Sequence, residues 1–295
     1  MVFSCYASFA QTQSSREFQL VSDNDSYTLR GKDGYYTNGL KMAFRWRNKN
    51  DASSKIIRSV EIGQLMYNAK NGSYNELYEL DRPVTAFLYG AYSQTNFGKK
   101  ESVLQWSVTL GMIGPPAFGR QVQEFIHSTL DMYKPREWNY QLKTEVGIDG
   151  NILWSPNVNT LSNSISVKPV FGATAGNTFT NANVGAAILL GSFNDNVRSV
   201  FWNANLNGNK TESFFYLYPQ MIFKAYDATV QGGLFRKDKG QYVGVLNHYL
   251  FAPRIGWMYS GRGFLLNLAL SYESKESLTQ IESQFYGTIG LGYAF

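Results

Sequence analysis

The sequence lacks most of the residues on which common catalytic and cofactor sites depend. Its 295 residues include one cysteine, Cys5, and two histidines, which excludes a framework of intrachain disulfides and a cysteine-rich zinc site. It contains no GxSxG, HExxH or paired-cysteine motif, so the usual signatures of serine hydrolases and zinc proteases are missing. It also has no run of about 18 apolar residues, and no transmembrane helix is therefore predicted.

Charged residues are sparse as well, at 17% of the chain, with a net charge of +5. The basic residues are scattered, and because no dense Lys/Arg block is present we do not expect nucleic acid as a partner. Aromatic residues, in contrast, reach 16%. The low mean hydropathy does not exclude a membrane barrel, because the strands of such a barrel alternate apolar and polar side chains.

The first residues resemble the end of a secretory signal. Ser8-Phe9-Ala10 before Gln11 has the small-x-small pattern of a cleavage site. We therefore expect residues 1–10 to be a signal-peptide remnant, with Cys5 absent from the mature protein, and residues 11–295 to form a single domain. Lipid attachment at Cys5 is the alternative.

Alternation with a period of two, typical of half-buried strands, runs along most of the chain. The clearest cases are LKMAFRWR, VLQWSVTLGM and GFLLNLALSY, in which large apolar residues share one face. Turn-rich runs such as NAKNGSYNE and RKDKGQ separate the segments. We predict twelve strands, at residues 16–24, 40–47, 56–67, 83–95, 103–112, 142–155, 163–177, 180–191, 212–226, 247–260, 263–272 and 284–295.

Alternating strands are found in soluble β proteins and in membrane barrels alike. The C-terminal TIGLGYAF favours the membrane barrel, because Ile289, Leu291, Tyr293 and Phe295 alternate with small residues and the last residue is aromatic. This pattern resembles the terminal strand of bacterial outer-membrane barrels. We predict an all-β fold, a transmembrane antiparallel β-barrel of about twelve strands in the bacterial outer membrane, with a soluble β protein as the alternative.

One segment, GPPAFGRQVQEFIH, does not fit the strand pattern and predicts a short helical insert near residues 115–131. Its prolines suit the first turn of a helix, and it has one apolar face formed by Phe118, Val122, Phe125 and Ile126. Gln123 and His127 are four residues apart, off that face. From spacing alone His127 is either an exposed surface residue or a base that activates water.

Oxygen-bearing side chains cluster early in the chain, at Asp23-Asn24-Asp25 and at Asp33. Carboxylate and amide oxygens suit calcium. Asn and Asp are also common in turns, so the cluster alone leaves a metal site and a simple turn both open.

Together these motifs resemble the outer-membrane lipid A 3′-O-deacylase family. The resemblance rests on motifs that occur in the order of the family and span most of the N-terminal half. They are Asn24-Asp25, DGYYTNGL, Asp81-Arg82-Pro83, the GxxGPxAxGxxVQxxxH pattern of residues 111–127, Trp138 and Gln141.

The resemblance implies a twelve-stranded barrel whose site lies between the barrel wall and the outer loops, at the level of the outer leaflet. It implies calcium-dependent hydrolysis of the ester that holds the 3′-acyloxyacyl group of lipid A. His127 would be the general base on a water, Gln123 would position water or substrate, and Thr37 matches a further active-site position. Asn24 would belong to both the catalytic and the metal-binding sets, and Asp25 would be the main calcium ligand.

The resemblance also implies partners and leaves alternatives. Lys70 is the candidate for binding the substrate, lipid A of lipopolysaccharide, and the outer-membrane insertion machinery is the other expected partner of a monomeric barrel. The family carries a glutamate six residues after the histidine, where Tyr133 stands here. Asp131 and Glu137 are the acids that could substitute for it, and neither has the matching spacing. The alternatives are a catalytically inactive barrel or small pore and a phospholipase-type lipid esterase.

Overall fold

The computed structural model describes residues 15–28, 34–47, 55–98, 101–156, 162–207 and 210–295. The expected signal remnant, Cys5 and Asp33 therefore lie outside the described residues. In the part of the chain that is described, no helix has the length and apolar character needed to cross a membrane.

Twelve antiparallel strands form a closed barrel, as the sequence predicted. Pairing of the first strand with the last closes the barrel. Two of the strands are each divided into two segments, one at Pro219 and the other at Pro253, because proline cannot donate a ladder hydrogen bond. The strands are β1 Arg16–Asn24, β2 Tyr36–Trp46, β3 Lys55–Tyr67, β4 Thr85–Phe97, β5 Val103–Ile113, β6 Glu145–Ser155, β7 Ile165–Gly176, β8 Phe179–Ser192, β9 Glu212–Tyr218 with Gln220–Asp227, β10 Tyr249–Phe251 with Arg254–Gly261, β11 Phe264–Glu273 and β12 Gln284–Ala294.

Helical structure is confined to the connections. The helices are α1 Gly119–Thr129 and the single turn α2 Ala228–Gln231, with 3-10 turns at Asp25–Thr28, Leu77–Glu79, Pro115–Ala117, Glu137–Tyr140, Val200–Trp202 and Asn205–Asn207. The insert predicted near residues 115–131 is thus shorter than expected. Phe118 has a left-handed backbone with φ of 58°, which separates the 3-10 turn at the prolines from α1.

The faces of the strands follow the predicted alternation. Inward-facing positions carry many buried polar groups, among them Glu17, Gln19, Asp23, Arg45, Ser59, Asn267 and Thr288. Outward-facing positions carry exposed apolar groups, among them Phe18, Leu20, Leu40, Met42, Val60, Ile62, Val108, Leu110, Ile148, Leu268, Leu270, Ile289 and Leu291. An apolar exterior with a polar interior is the arrangement of a membrane barrel and the reverse of a soluble one.

The two ends of the barrel differ. The connections at residues 25–28, 34–35, 68–84, 114–144, 228–248 and 274–283 lie at one end, which we call the site end. The opposite end, here the terminal end, holds the start of β1 and the end of β12.

At the terminal end, residues 193–207 fold into the barrel as a plug. Val200 packs against inward-facing residues of β8, β9 and β11. Val197, Ala204 and Leu206 are buried against the inward-facing Ile57, Phe97 and Val103. The lumen at this end is consequently filled by side chains.

A candidate active site on the outer wall of the barrel

Helix α1 lies against the outside of the barrel wall at the site end. Met66 and Ala86 are cross-strand partners in β3 and β4, and Met66 falls on the same outward face as the exposed Val60 and Ile62. Met66 and Ala86 are nevertheless buried, in one cluster with Ala117, Trp138 and Val122. The insert after β5 therefore covers the lipid-facing side of the wall.

Glycine at position 119 permits this close approach. A Cβ at Gly119 would collide with the Trp138 ring and with the Cβ of Ala86. The turn before the helix is fixed as well, because the Gln64 Nε2 donates to the carbonyl oxygen of Ala117 at 2.5 Å. The glycine and this hydrogen bond hold the start of α1 on β3 and β4.

The polar face of α1 is the buried one. Gln123 is 2% exposed and His127 is 4% exposed, whereas Phe118 is 54% exposed and Phe125 is 71% exposed. Phe118 and Phe125 of the apolar face thus point away from the barrel, while Val122 packs against the buried cluster on the wall. On the outer wall of a membrane barrel, such a face is suited to contact with lipid.

Thr37 joins the site through a β-bulge in β2. Tyr36 pairs with Tyr67 and Asn38 pairs with Met66, so Thr37 is an extra residue with no partner of its own in β3. A bulge redirects the side chain that it carries. The Thr37 hydroxyl donates to Asn68 Oδ1 at 2.9 Å, which brings this predicted residue beside α1.

Asn68 connects Thr37 to the helix and to a buried acid. Its Nδ2 donates to Gln123 Oε1 at 2.9 Å and also to Glu137 Oε1. The same Gln123 oxygen accepts a hydrogen bond from Trp138 Nε1 at 2.6 Å. We call this group the outer-wall site; it comprises Thr37, Asn68, Gln123, His127, Glu137 and Trp138.

The imidazole of His127 is held in one orientation. Its Nδ1 lies 2.7 Å from the carbonyl oxygen of Tyr133, an acceptor, so the proton of the neutral ring is on Nδ1 and Nε2 is the basic atom. The Tyr133 ring packs edge-on against it, with centroids 4.7 Å apart. An open groove of ≈ 440 Å³ lies alongside, lined by His127, Phe125, Met132, Tyr133, Lys134 and Pro135, among others.

Asn24 lies on the same outer wall but farther along it, and Asp25 follows it in the 3-10 turn after β1. Asn24, Asn38 and Met66 are successive cross-strand partners, which places Asn24 two strand spacings, about 10 Å, from β3. Asp25 Oδ2 accepts the Gly34 N–H at 2.8 Å, and Gly34 leads into the bulge.

The donor chemistry of this segment fits calcium in part. Asp25 is a buried carboxylate, a ligand type that calcium favours. The Asn24 side chain instead accepts hydrogen bonds from the backbone and hydroxyl of Ser26. Across the described residues, no group of three or more His, Cys, Asp or Glu side chains is arranged to hold a metal, so Asp25 would be a single carboxylate ligand.

Lys70 lies apart from the helix contacts. Its ammonium pairs with Glu282 at 2.7 Å, and this hydrogen bond raises the pKa of Lys70 above its usual range. The backbone N–H of Lys70 donates to Asp81 at 2.9 Å. The contacts seen in the structure therefore tie Lys70 to the connection 274–283 rather than to α1.

The Asp81-Arg82-Pro83 motif secures the connections at the site end. Asp81 accepts from Tyr35 at 2.6 Å, and burial together with this bond raises the pKa of Tyr35. Arg82 is fully buried and pairs with Glu276 at 2.8 Å. Although burial opposes it, the charges of Lys224 and Arg82 lower the pKa of Glu276 to about 2.

Two members of the outer-wall site, Asn68 and Glu137, were not predicted as functional. Asn68 follows the last residue of β3 in a turn-like NAKNG run, where an asparagine attracts no notice. Glu137 was noted only as an acid at the wrong spacing from His127. The feature of the sequence that pointed to Glu137 is its position directly before Trp138, one of the residues that carry the family resemblance.

Comparisons with known proteins agree with this architecture. Residues 1–295 match the family described as "Outer membrane protein LpxR". The solved structure of LpxR from Salmonella typhimurium is similar at a TM-score of 0.80 and 21% identity, over 95% of this chain and 100% of that one. The β domain of the Bordetella autotransporter BrkA gives a TM-score of 0.50 at 10% identity, over 96% of this chain and 100% of that one. No curated protein matched the sequence.

Proposed function

The chain belongs to the LpxR family of outer-membrane proteins, and from that premise we propose that it removes the 3′-acyloxyacyl group of lipid A by ester hydrolysis. Family membership and the barrel make it a lipid A-modifying enzyme of the bacterial outer membrane. The finer statement, deacylation with His127 as the base and calcium as the cofactor, is the proposal.

The observation that carries the proposal is the position of His127 on the outside of the wall. A substrate reaches this face from the lipid, not from the lumen, because α1 covers the outward side of β3 and β4. The groove beside His127 includes Phe125 and Met132, which suit an acyl chain. A lipid ester is therefore the substrate class that the site favours.

In the proposed reaction His127 Nε2 takes a proton from a water in the groove. The water oxygen bonds to the ester carbonyl carbon, and the carbonyl π electrons move to its oxygen, which gives a tetrahedral oxyanion. Collapse of this intermediate breaks the bond to the sugar oxygen, which receives the proton from Nε2. The products are a carboxylic acid and the sugar hydroxyl, and His127 is neutral again.

Calcium is proposed at Asp25, which would supply a carboxylate oxygen, with Asn24 the weaker candidate because its side chain serves Ser26. When bound, the ion would add positive charge near the anionic substrate. The remaining candidates, Thr37 and Gln123, are proposed to act through the hydrogen bonds that join them at Asn68.

The test is mass spectrometry of lipid A incubated with the purified protein in detergent, with calcium present. We expect the mass of the 3′-acyloxyacyl group to be lost, and we expect chelator to prevent the loss. His127→Ala should lower the rate by about 10² to 10⁴-fold. His248→Ala is the matched control, because this exposed residue hydrogen bonds at Lys224 and packs on Phe223. Unchanged lipid A, or equal rates for the two histidine variants, would refute the proposal.

Two further arms address the alternatives. Phospholipid vesicles in the same assay separate a phospholipase-type esterase from a lipid A deacylase. A small pore is disfavoured by the plug of residues 193–207, whose buried Val197 and Leu206 fill the terminal end of the lumen.

A further inference from the structure

The side-chain amide of Gln123 has its two ends in different environments. Its Oε1 faces the indole N–H of Trp138, and because an indole can only donate, the oxygen must lie on that side. Its Nε2 is buried, and no acceptor among the described residues lies within hydrogen-bonding distance of it. A buried donor without an acceptor is unfavourable, so an acceptor oxygen supplied by a bound substrate would stabilise this group.

The orientation of the amide is fixed a second time through Asn68. Glu137 is fully buried, and its Oε1 accepts a hydrogen bond from Asn68 Nδ2, so the amide nitrogen of Asn68 points towards Glu137. The Asn68 oxygen then faces the Thr37 hydroxyl, and the same Nδ2 donates to Gln123 Oε1. Glu137 as an acceptor and Trp138 as a donor, which are adjacent in sequence, thus set the direction of both amides.

We propose that Gln123 Nε2 donates a hydrogen bond to the carbonyl oxygen of the scissile ester, and that Glu137 and Trp138 are positioning residues that hold it in this orientation. The proposal rests on the proposed ester hydrolysis. It assigns Gln123 to the substrate oxygen and leaves the water to His127.

The carbonyl oxygen is a better partner for this donor than the attacking water. A donor to the water oxygen would make the water a weaker nucleophile, because it withdraws electron density from the oxygen that attacks the carbonyl carbon. A donor to the carbonyl oxygen strengthens as negative charge develops there, and so stabilises the transition state more than the ground state. The spacing of Gln123 and His127 suits these two roles, because residues at i and i+4 on a helix have Cβ atoms about 5 to 6 Å apart. One ester can then contact Gln123 through its carbonyl oxygen while His127 activates the water.

The decisive variant is Gln123→Glu. A glutamate accepts from Trp138 and Asn68 as the glutamine does and, once ionised, donates no hydrogen bond. Because burial beside Glu137 raises the pKa of such a glutamate, the variant and the parent are compared from about pH 7 to pH 10. We expect kcat on lipid A to fall by about 10² to 10³-fold, with KM within about threefold of the parent value. Glu212→Gln is the control for an altered buried glutamate, because Glu212 accepts from Asn194 and Val200 in the plug at the other end of the barrel.

The positioning role has its own readout, which does not depend on activity. The protein has six tryptophans, and Trp138→Phe assigns the Trp138 indole N–H signal in the ¹H–¹⁵N spectrum of the protein in micelles. We expect Gln123→Glu to keep this proton protected from exchange and Glu137→Leu to reduce its protection, with a lower kcat and little change in KM for Glu137→Leu.

The outcomes separate the two proposals. A parent protein that hydrolyses neither lipid A nor phospholipid would overturn the proposed function, while the indole signal would still report whether Glu137 orients the amides. An active parent with Gln123→Glu within threefold of its kcat would overturn the donor assignment. Loss of the indole signal in Gln123→Glu would show that the substitution alters the structure of the site. Gln123→Met, which removes every polar group of the side chain, would then be compared with the parent at equal content of folded barrel. A parent-like kcat in Gln123→Met would also overturn the assignment.

Discussion

Adding one methyl group at Gly119 should move α1 away from the barrel wall. A Cβ at this position would lie within 2.5 Å of the Ala86 Cβ and still closer to the Trp138 ring. Carbon atoms prefer separations of about 3.5 to 4.0 Å, so the helix must retreat by about 1 Å. Neither neighbour can yield easily, because Ala86 has no rotatable side chain and Trp138 is buried and hydrogen bonded to Gln123.

Two opposing energies decide the net effect of Gly119→Ala. Alanine favours a helix interior over glycine by about 1 kcal/mol, and this gain is smaller at the first residue of α1. Overpacking costs about 1 to 3 kcal/mol, so the steric term should win. The cost falls on the contact between the helix and the wall and leaves the barrel ladder intact. A displacement of about 1 Å at His127 can lower the rate by about 10²-fold.

The assay is the initial rate of lipid A deacylation, compared at equal amounts of folded barrel as judged by heat-modifiable electrophoretic mobility. Gly90→Ala is the matched control in the neighbouring strand β4, because the nearest atom to its added Cβ is the Glu61 carbonyl oxygen at 3.9 Å. Gly119→Ala at parent activity would refute the argument that contact of α1 with the wall positions His127.

Three other perturbations have outcomes that the structure predicts. Asp25→Asn should abolish the stimulation by calcium in a titration of the deacylation rate, whereas Asn24→Ala should weaken it less, because Asn24 Oδ1 already serves Ser26; equal effects would contradict this ranking. Replacing the buried part of the plug, residues 197–206, with a Gly/Ser linker should produce large channels in planar bilayers, which the parent protein should lack. The pKa of Glu276 is lowered from 4.5 to about 2, so its contribution to stability is present above about pH 4.5 and is lost as the pH falls towards 2. The unfolding temperature should therefore drop over that range, and it should drop less in Glu276→Gln.

The barrel could be predicted from the sequence because its signal is repeated twelve times. Each strand must place apolar side chains towards lipid and polar ones towards the lumen, so the period of two survives along the whole chain. The breaks within two strands were not predicted, because residues 212–226 and 247–260 were expected to be continuous. Pro219 and Pro253 interrupt the ladder there but not the path of β9 and β10.

The helix was predicted and its surroundings were not. Hydrophobic periodicity locates an apolar face without saying whether protein or lipid covers it. In α1 the apolar Phe125 is 71% exposed, because the helix lies outside a wall that already faces lipid. For the same reason, the sequence alone did not decide whether His127 is a surface residue or a base.

The hydrogen-bond chain through Asn68 depends on registers that no local pattern encodes. Asn68 comes from the connection after β3, whereas Gln123 and Glu137 come from the insert after β5. They meet only because β3 pairs with β2 and β4 and the insert turns back over these strands. Spacing from His127 was therefore a poor guide to the acid of the site. Glu137 is ten residues from His127 in the sequence, yet Asn68 donates hydrogen bonds to both Glu137 and Gln123.

The position of this chain of hydrogen bonds also explains why polar residues are tolerated on the lipid-facing side of a barrel. Exposed to hydrocarbon, Thr37, Asn68 and Gln123 would each cost several kcal/mol. Helix α1 and Trp138 cover these side chains and separate them from lipid. Of the side-chain polar atoms of Asn68 and Gln123, all have a hydrogen-bond partner except Gln123 Nε2. The donor that remains, Gln123 Nε2, lies one helical turn from His127, and it is the atom for which we propose a hydrogen bond to the substrate.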